Sequence, residues 1–108
     1  MENISFEDFK KLDLKIGKVI SAEKVEKSEK LLKLKVDFGE ETRQVISGIA
    51  QDYSIEELVD KSFVFITNLK PRQIMGLESQ GMILAADVND RAVLLEPNRE
   101  VASGTLVR

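Results

Sequence analysis

Apolar and polar positions alternate strictly over Leu32, Leu34, Val36 and Phe38, with Lys33, Lys35 and Asp37 between them. A period of two puts the sets on opposite faces of a half-buried strand. Gly39-Glu40-Glu41 supplies a hairpin turn, and Thr42 to Ile49 reads as the returning strand with Val45 and Ile49 inward. Upstream, Leu14, Ile16 and Val19 belong to a strand whose phase slips at Gly17-Lys18, which predicts a bulge or sharp coil there. Phe63-Val64-Phe65-Ile66 is a continuous aromatic and β-branched run, as in a strand covered on both faces. Met82 to Ala86 makes a fifth strand, and Val93–Leu95 and Thr105–Val107 carry apolar residues into the tail.

Two helix starts interrupt this pattern. Ser5 stands as an N-cap with Asp8 at the third helical position and Ile4 and Phe9 as a hydrophobic staple. A short helix over about residues 6–11, within an N-terminal segment 1–12, follows, with Phe6 and Phe9 on its buried side. Ser54, Glu57, Tyr53 and Leu58 repeat the signature and predict a helix over about residues 55–60. Three strands, a short helix, two strands and an extension over residues 87–108 match an all-β OB-fold. That fold is a five-stranded Greek-key barrel, with its helix here between strands 3 and 4. An SH3-like barrel or a split sandwich is the runner-up. At 108 residues the chain is a single domain, 1–108.

Composition then removes chemistries. The chain has no histidine and no cysteine, which excludes the usual neutral-pH base, thiol nucleophiles, Ser-His-Asp triads and common zinc sets. Its acidic residues fall mostly on turns and outward faces, so no catalytic residues, no metal site and no cofactor are expected. No apolar run approaches the roughly 18 residues of a membrane span. The start, Met1-Glu2-Asn3-Ile4-Ser5, has no apolar signal core, so a cytoplasmic location is expected.

The net charge of −3 is unevenly spread: residues 10–35 hold nine lysines against four acidic residues, whereas 36–60 hold seven acidic residues against Arg43 alone. A polyanion needs a local basic face, not a basic protein, because salt screens charges beyond roughly 8–10 Å. Solvated strand lysines would look the same by composition. The stretch Asn68–Gly81 narrows the choice, since Lys70 and Arg72 flank Pro71, which stiffens the backbone between the fourth and fifth strands. Gly76 and Gly81 permit turns or close approach. In an OB barrel this connection frames the ligand face.

Four blocks occur in order: Lys30-Leu31-Leu32-Lys33-Leu34-Lys35-Val36-Asp37, Gln44-Val45-Ile46-Ser47-Gly48-Ile49, Asn68-Leu69-Lys70-Pro71-Arg72 and Glu78-Ser79-Gln80-Gly81-Met82. Together they resemble the tRNA-binding domain found at the C-terminus of many methionyl-tRNA synthetases and as stand-alone structure-specific tRNA-binding proteins. The resemblance runs from about Phe6 to Val107. It implies a non-catalytic module with tRNA as partner, and Lys33, Asn68, Lys70, Arg72, Ser79 and Met82 as its tRNA-binding residues. It further implies a homodimer paired through the extension, and a methionyl-tRNA synthetase catalytic chain as a possible partner. All six aromatics fall at expected core or staple positions, so base stacking is weak and recognition of folded RNA by shape and backbone is expected. The family's secretion-chaperone branch offers the alternative of a peptide-binding dimer. Val25-Glu26 replaces a His-Pro pair common in the family, and Gln73 stands where a basic residue is frequent.

Overall fold

The computed structural model describes residues 1–108. One turn of helix, α1 (Phe6–Phe9), precedes β1 (Leu14–Lys24), β2 (Leu32–Asp37) and β3 (Thr42–Ser47). A 3-10 turn (Ile55–Glu57) leads to β4 (Ser62–Ile66). There follow β5 (Arg72–Ile74), β6 (Leu77–Ser79), β7 (Met82–Ile83), β8 (Ala85–Val88), β9 (Arg91–Leu94) and β10 (Leu106–Val107). The antiparallel order β3-β2-β1-β4-β7, with β10 also on β1, is a nearly closed five-strand barrel of the OB type.

β1 is long enough to serve two neighbours: its first half pairs with β4 and its second half with β2. The strand must therefore bend, and it does so at Ile20, where the register against β2 shifts between Val19 and Ser21. The bulge thus lies past Gly17-Lys18, where the apolar phase slip pointed. Gly17 serves a different need: a Cβ there would sit 2.5 Å from Val36 Cγ1 and 2.6 Å from Phe38 Cε1. Its missing side chain lets β1 lie directly against the core.

Alternation along β2 picks out the centre of that core. Val19, Leu32, Leu34, Val36, Val45, Leu58 and Phe65 are fully buried, and Phe38 meets Phe65 edge-on with ring centroids 5.3 Å apart. Each such large apolar side chain stabilises the fold by about 1.5–3 kcal/mol. The Ser54 capping box forms, with Glu57 N donating to Ser54 Oγ at 3.3 Å and Ser54 N to Glu57 Oε1 at 2.9 Å. It starts only a single 3-10 turn, not a helix to residue 60. One turn suffices, because its task is to seat Leu58 under the barrel.

Three other expectations change. The N-terminal helix ends at Phe9, and Phe6 stays 69% exposed, stacked on Phe9 instead of buried. The fifth strand keeps only Met82–Ile83 in the barrel; Ala85–Val88 turns away to pair with Arg91–Leu94. That outer hairpin is held by Asp52, which accepts from Ala92 N at 3.0 Å and pairs with Arg91, and by Tyr53 Oη, which accepts from Leu94 N at 3.0 Å. Finally, the connection 68–81, expected as a stiffened loop, contains the hairpin β5–β6.

Candidate nucleic-acid interface

β2 turns Lys33 and Lys35 outward, flanked across the ladder by Glu23 and Ser21 on β1 and by Ile46 and Gln44 on β3. Ser21, Glu23, Lys33, Lys35, Thr42, Arg43 and Gln44 line a groove of about 470 Å³ on this face. Lys33 Nζ pairs with Glu23 Oε1 across the strands. Both side chains are solvent-accessible, and exposed pairs of this kind contribute only about 0–1 kcal/mol, so a phosphate can displace the carboxylate.

The β5–β6 hairpin folds over the free edge of β3. Gln44 Nε2 donates to Glu78 O at 2.8 Å, Gln44 N donates to Gln80 Oε1 at 3.0 Å, and Gln80 N donates to Gln44 O at 2.8 Å. Ser79 Oγ accepts from Ile46 N at 3.0 Å and donates to Gly81 O at 2.9 Å. An edge strand that would otherwise offer open backbone groups is thereby satisfied. Beneath the hairpin, Ile46, Leu69, Ile74 and Met82 enclose a small cavity of about 30 Å³ together with Lys70, Arg72 and Ser79. Lys70 and Arg72 are exposed residues at the edge of this patch.

The structure therefore brings Lys70, Arg72, Ser79 and Met82 to one spot, with Lys33 on the adjoining sheet face. Lys33 also lines a second cleft, about 380 Å³, between Lys24 at the end of β1 with the following connection (Val25, Glu26, Lys27) and the hairpin residues Met75 and Leu77. Met82 is 43% exposed and free to touch a ligand. Ser79 is 4% exposed, with its hydroxyl engaged inside the chain. Asn68 lies apart from this spot. Its Oδ1 accepts from Asp13 N at 2.8 Å and its Nδ2 donates to Lys11 O at 2.6 Å, in a groove shared with Phe6, Phe9 and Leu106. Thr67 beside it donates to Asp13 Oδ2 at 2.8 Å, so the start of the 68–81 segment is tied to the N-terminal arm.

Two residues of this region lie outside the six named from the family blocks. Lys35 shares the period of Lys33 and was legible from the alternation. Arg43 was not, since it sits in phase with buried Val36 on the inward side of β3. Its Nη1 donates to Thr67 O at 2.5 Å and to Gln80 O at 3.2 Å, while Nε and Nη2 grip Glu41 at 2.7 and 3.2 Å. The Arg43 hydrogen bond, ahead of its charge, holds the Glu41 carboxyl below its ordinary value.

A family model described as "Putative tRNA binding domain" matches residues 14–106. The chain belongs to this tRNA-binding-domain family. It is 58% identical over 106 residues to the methionine–tRNA ligase of Archaeoglobus fulgidus, covering 98% of the chain and 16% of that enzyme. The chain thus spans a small fraction of the length of the curated relatives it matches. Among solved structures it is similar to a MetRS-related protein of Pyrococcus horikoshii, with 42% identity, a TM-score of 0.95 and 100% of both chains covered. The chaperone CsaA of Bacillus anthracis is similar at 33% identity and a TM-score of 0.89, over 99% of this chain and 100% of that one. Within this tRNA-binding-domain chain, no helix is long and apolar enough to cross a membrane.

Proposed function

We propose that this chain is a non-catalytic module that docks on folded tRNA by shape and backbone and delivers it to a methionyl-tRNA synthetase catalytic unit, raising affinity by effective concentration. The observation that carries this reading is the gathering of Lys70, Arg72 and Met82 around the base of the β5–β6 hairpin, with Lys33 of β2 on the adjoining sheet face beside the hairpin's turn. Charged ends on separate rigid elements suit phosphates at fixed spacing. Lys33, Lys70 and Arg72 make the phosphate contacts, Met82 the apolar one, and Asn68 and Ser79 act by holding the segment that presents them. Phe6, the one strongly exposed aromatic, lies in the Asn68 groove and not beside these residues, which supports backbone and shape over base stacking.

The test is binding to unfractionated tRNA across a salt series, with duplex RNA and an extended peptide as competitors. A log–log slope of about −2 to −4 is expected for three to five phosphate contacts, with Lys70→Ala plus Arg72→Ala abolishing binding. Binding of the peptide without tRNA would sink the proposal and favour the chaperone-like reading.

The molecule is also proposed to act as a homodimer. Phe6, Leu12 and Leu106 are exposed around a groove of about 690 Å³ at the chain ends, and Val88, Val93 and Leu95 are exposed along the β8–β9 hairpin. Apolar surface of this extent on a small domain calls for cover.

A further inference from the structure

We infer that Arg43 is a positioning residue for nucleic-acid binding, one that fixes both ends of the 68–81 segment without itself touching the RNA. The inference rests on the tRNA-docking reading above and concerns how that site is held. Thr67 is the last residue before the segment's Asn68-Leu69-Lys70-Pro71-Arg72 arm, and Gln80 lies at its far end after Ser79. A single guanidinium nitrogen of Arg43 reaches the carbonyls of both. Nε and Nη2 each donate to Glu41, so four of the five N–H groups are spent on the protein.

Its position lets one side chain of β3 hold the carbonyl of Thr67 together with that of Gln80. Arg43 is held by the β2–β3 ladder opposite Val36, whereas Thr67 follows β4 and Gln80 precedes β7. Without the brace, β6 would still be attached to β3 through Gln44 and Ser79, but nothing else from β3 reaches the carbonyl from which the Lys70–Arg72 arm departs. Carbonyl acceptors and a carboxylate are neutralised here by a planar fork, which Lys cannot imitate because its ammonium is a single point donor. Glu41 in turn keeps the Arg43 charge from adding to the basic rim. Phosphate attraction is thus left to Lys33, Lys70 and Arg72.

The experiment compares Arg43→Lys and Arg43→Met with the parent chain in two readouts. Amide exchange of residues 68–81, without RNA, should quicken about tenfold in both variants while the β1, β2 and β4 amides hold their rates, the size expected for loss of one charge-assisted hydrogen bond. Affinity for unfractionated tRNA should fall by about tenfold at an unchanged salt slope, because no phosphate contact is lost. A slope reduced by about one in Arg43→Met, with rescue by Arg43→Lys, would instead make Arg43 a direct phosphate ligand and overturn the inference. Parent-like exchange in both variants would overturn it as well. Should Arg43→Met fail to fold, Glu41→Gln, an exposed change that loosens the outer side of the fork, must still quicken exchange in 68–81, by a smaller factor. If the parent chain bound no tRNA, the docking reading would fall while the exchange data still decided whether the brace exists.

Discussion

At the scale of single residues, the proposed interface divides into side chains that face outward and side chains that hold them there. Lys33, Lys70, Arg72 and Met82 present free surface; Asn68, Ser79 and Arg43 have their polar atoms committed within the chain. Removing a committed group leaves its partner stranded. In Ser79→Ala the buried Ile46 N–H loses its acceptor, and the expected cost is about 1–3 kcal/mol, read as a lower urea midpoint. An unchanged midpoint would show that the hydroxyl bond is dispensable. The family blocks named Ser79 and Asn68 alongside the lysines because a sequence motif groups residues needed for one site. It does not separate a contact from a brace, since both requirements restrict the residue equally.

At the scale of elements, the β5–β6 hairpin decides where Arg72 and Ser79 stand, as they are directly paired across it. Its two-residue turn is Met75-Gly76, with φ of +50° and +80°, the left-handed pair of a type I′ turn. Glycine meets this easily, whereas a long side chain at the first position is strained. Met75→Asn should therefore stabilise the hairpin by roughly 0.5–1 kcal/mol, seen as amide exchange about two- to fivefold slower across residues 72–79. Faster exchange would mean that Met75 contributes packing that outweighs the strain. The Gly76 turn was legible in the sequence. The paired strands around it were not, because three-residue segments such as Arg72-Gln73-Ile74 are too short to show a period, and their pairing depends on the β3 edge they cover.

At the scale of the whole molecule, the barrel is complete while its outer parts are not. Two-stranded hairpins are marginal alone, and β8–β9 leans on Asp52 and Tyr53 while exposing Val88 and Val93. Sedimentation should find a dimer at micromolar concentration, and Val93→Glu or Leu106→Glu should weaken it, since a charge cannot be buried unpaired in an apolar contact. A parent chain that sediments as a monomer would leave the exposed apolar residues without the proposed cover.

What the sequence determined by itself was the inward residues of the barrel strands and the order of elements as far as β4. Alternation over Leu32–Phe38, the dense run Phe63–Ile66 and the Ser5 and Ser54 caps act over a few neighbouring residues, so they are readable locally. The tertiary structure decided the rest: the bulge at Ile20, the exposure of Phe6, the departure of Ala85–Val88 from the barrel, and the roles of Arg43, Asn68 and Ser79. The residue roles among these depend on partners far along the chain. Gly17 must clear Val36 and Phe38, Asn68 must meet Asp13, and Arg43 must meet Thr67 and Gln80. Those meetings exist only once the barrel has closed, and no local pattern of side chains encodes them.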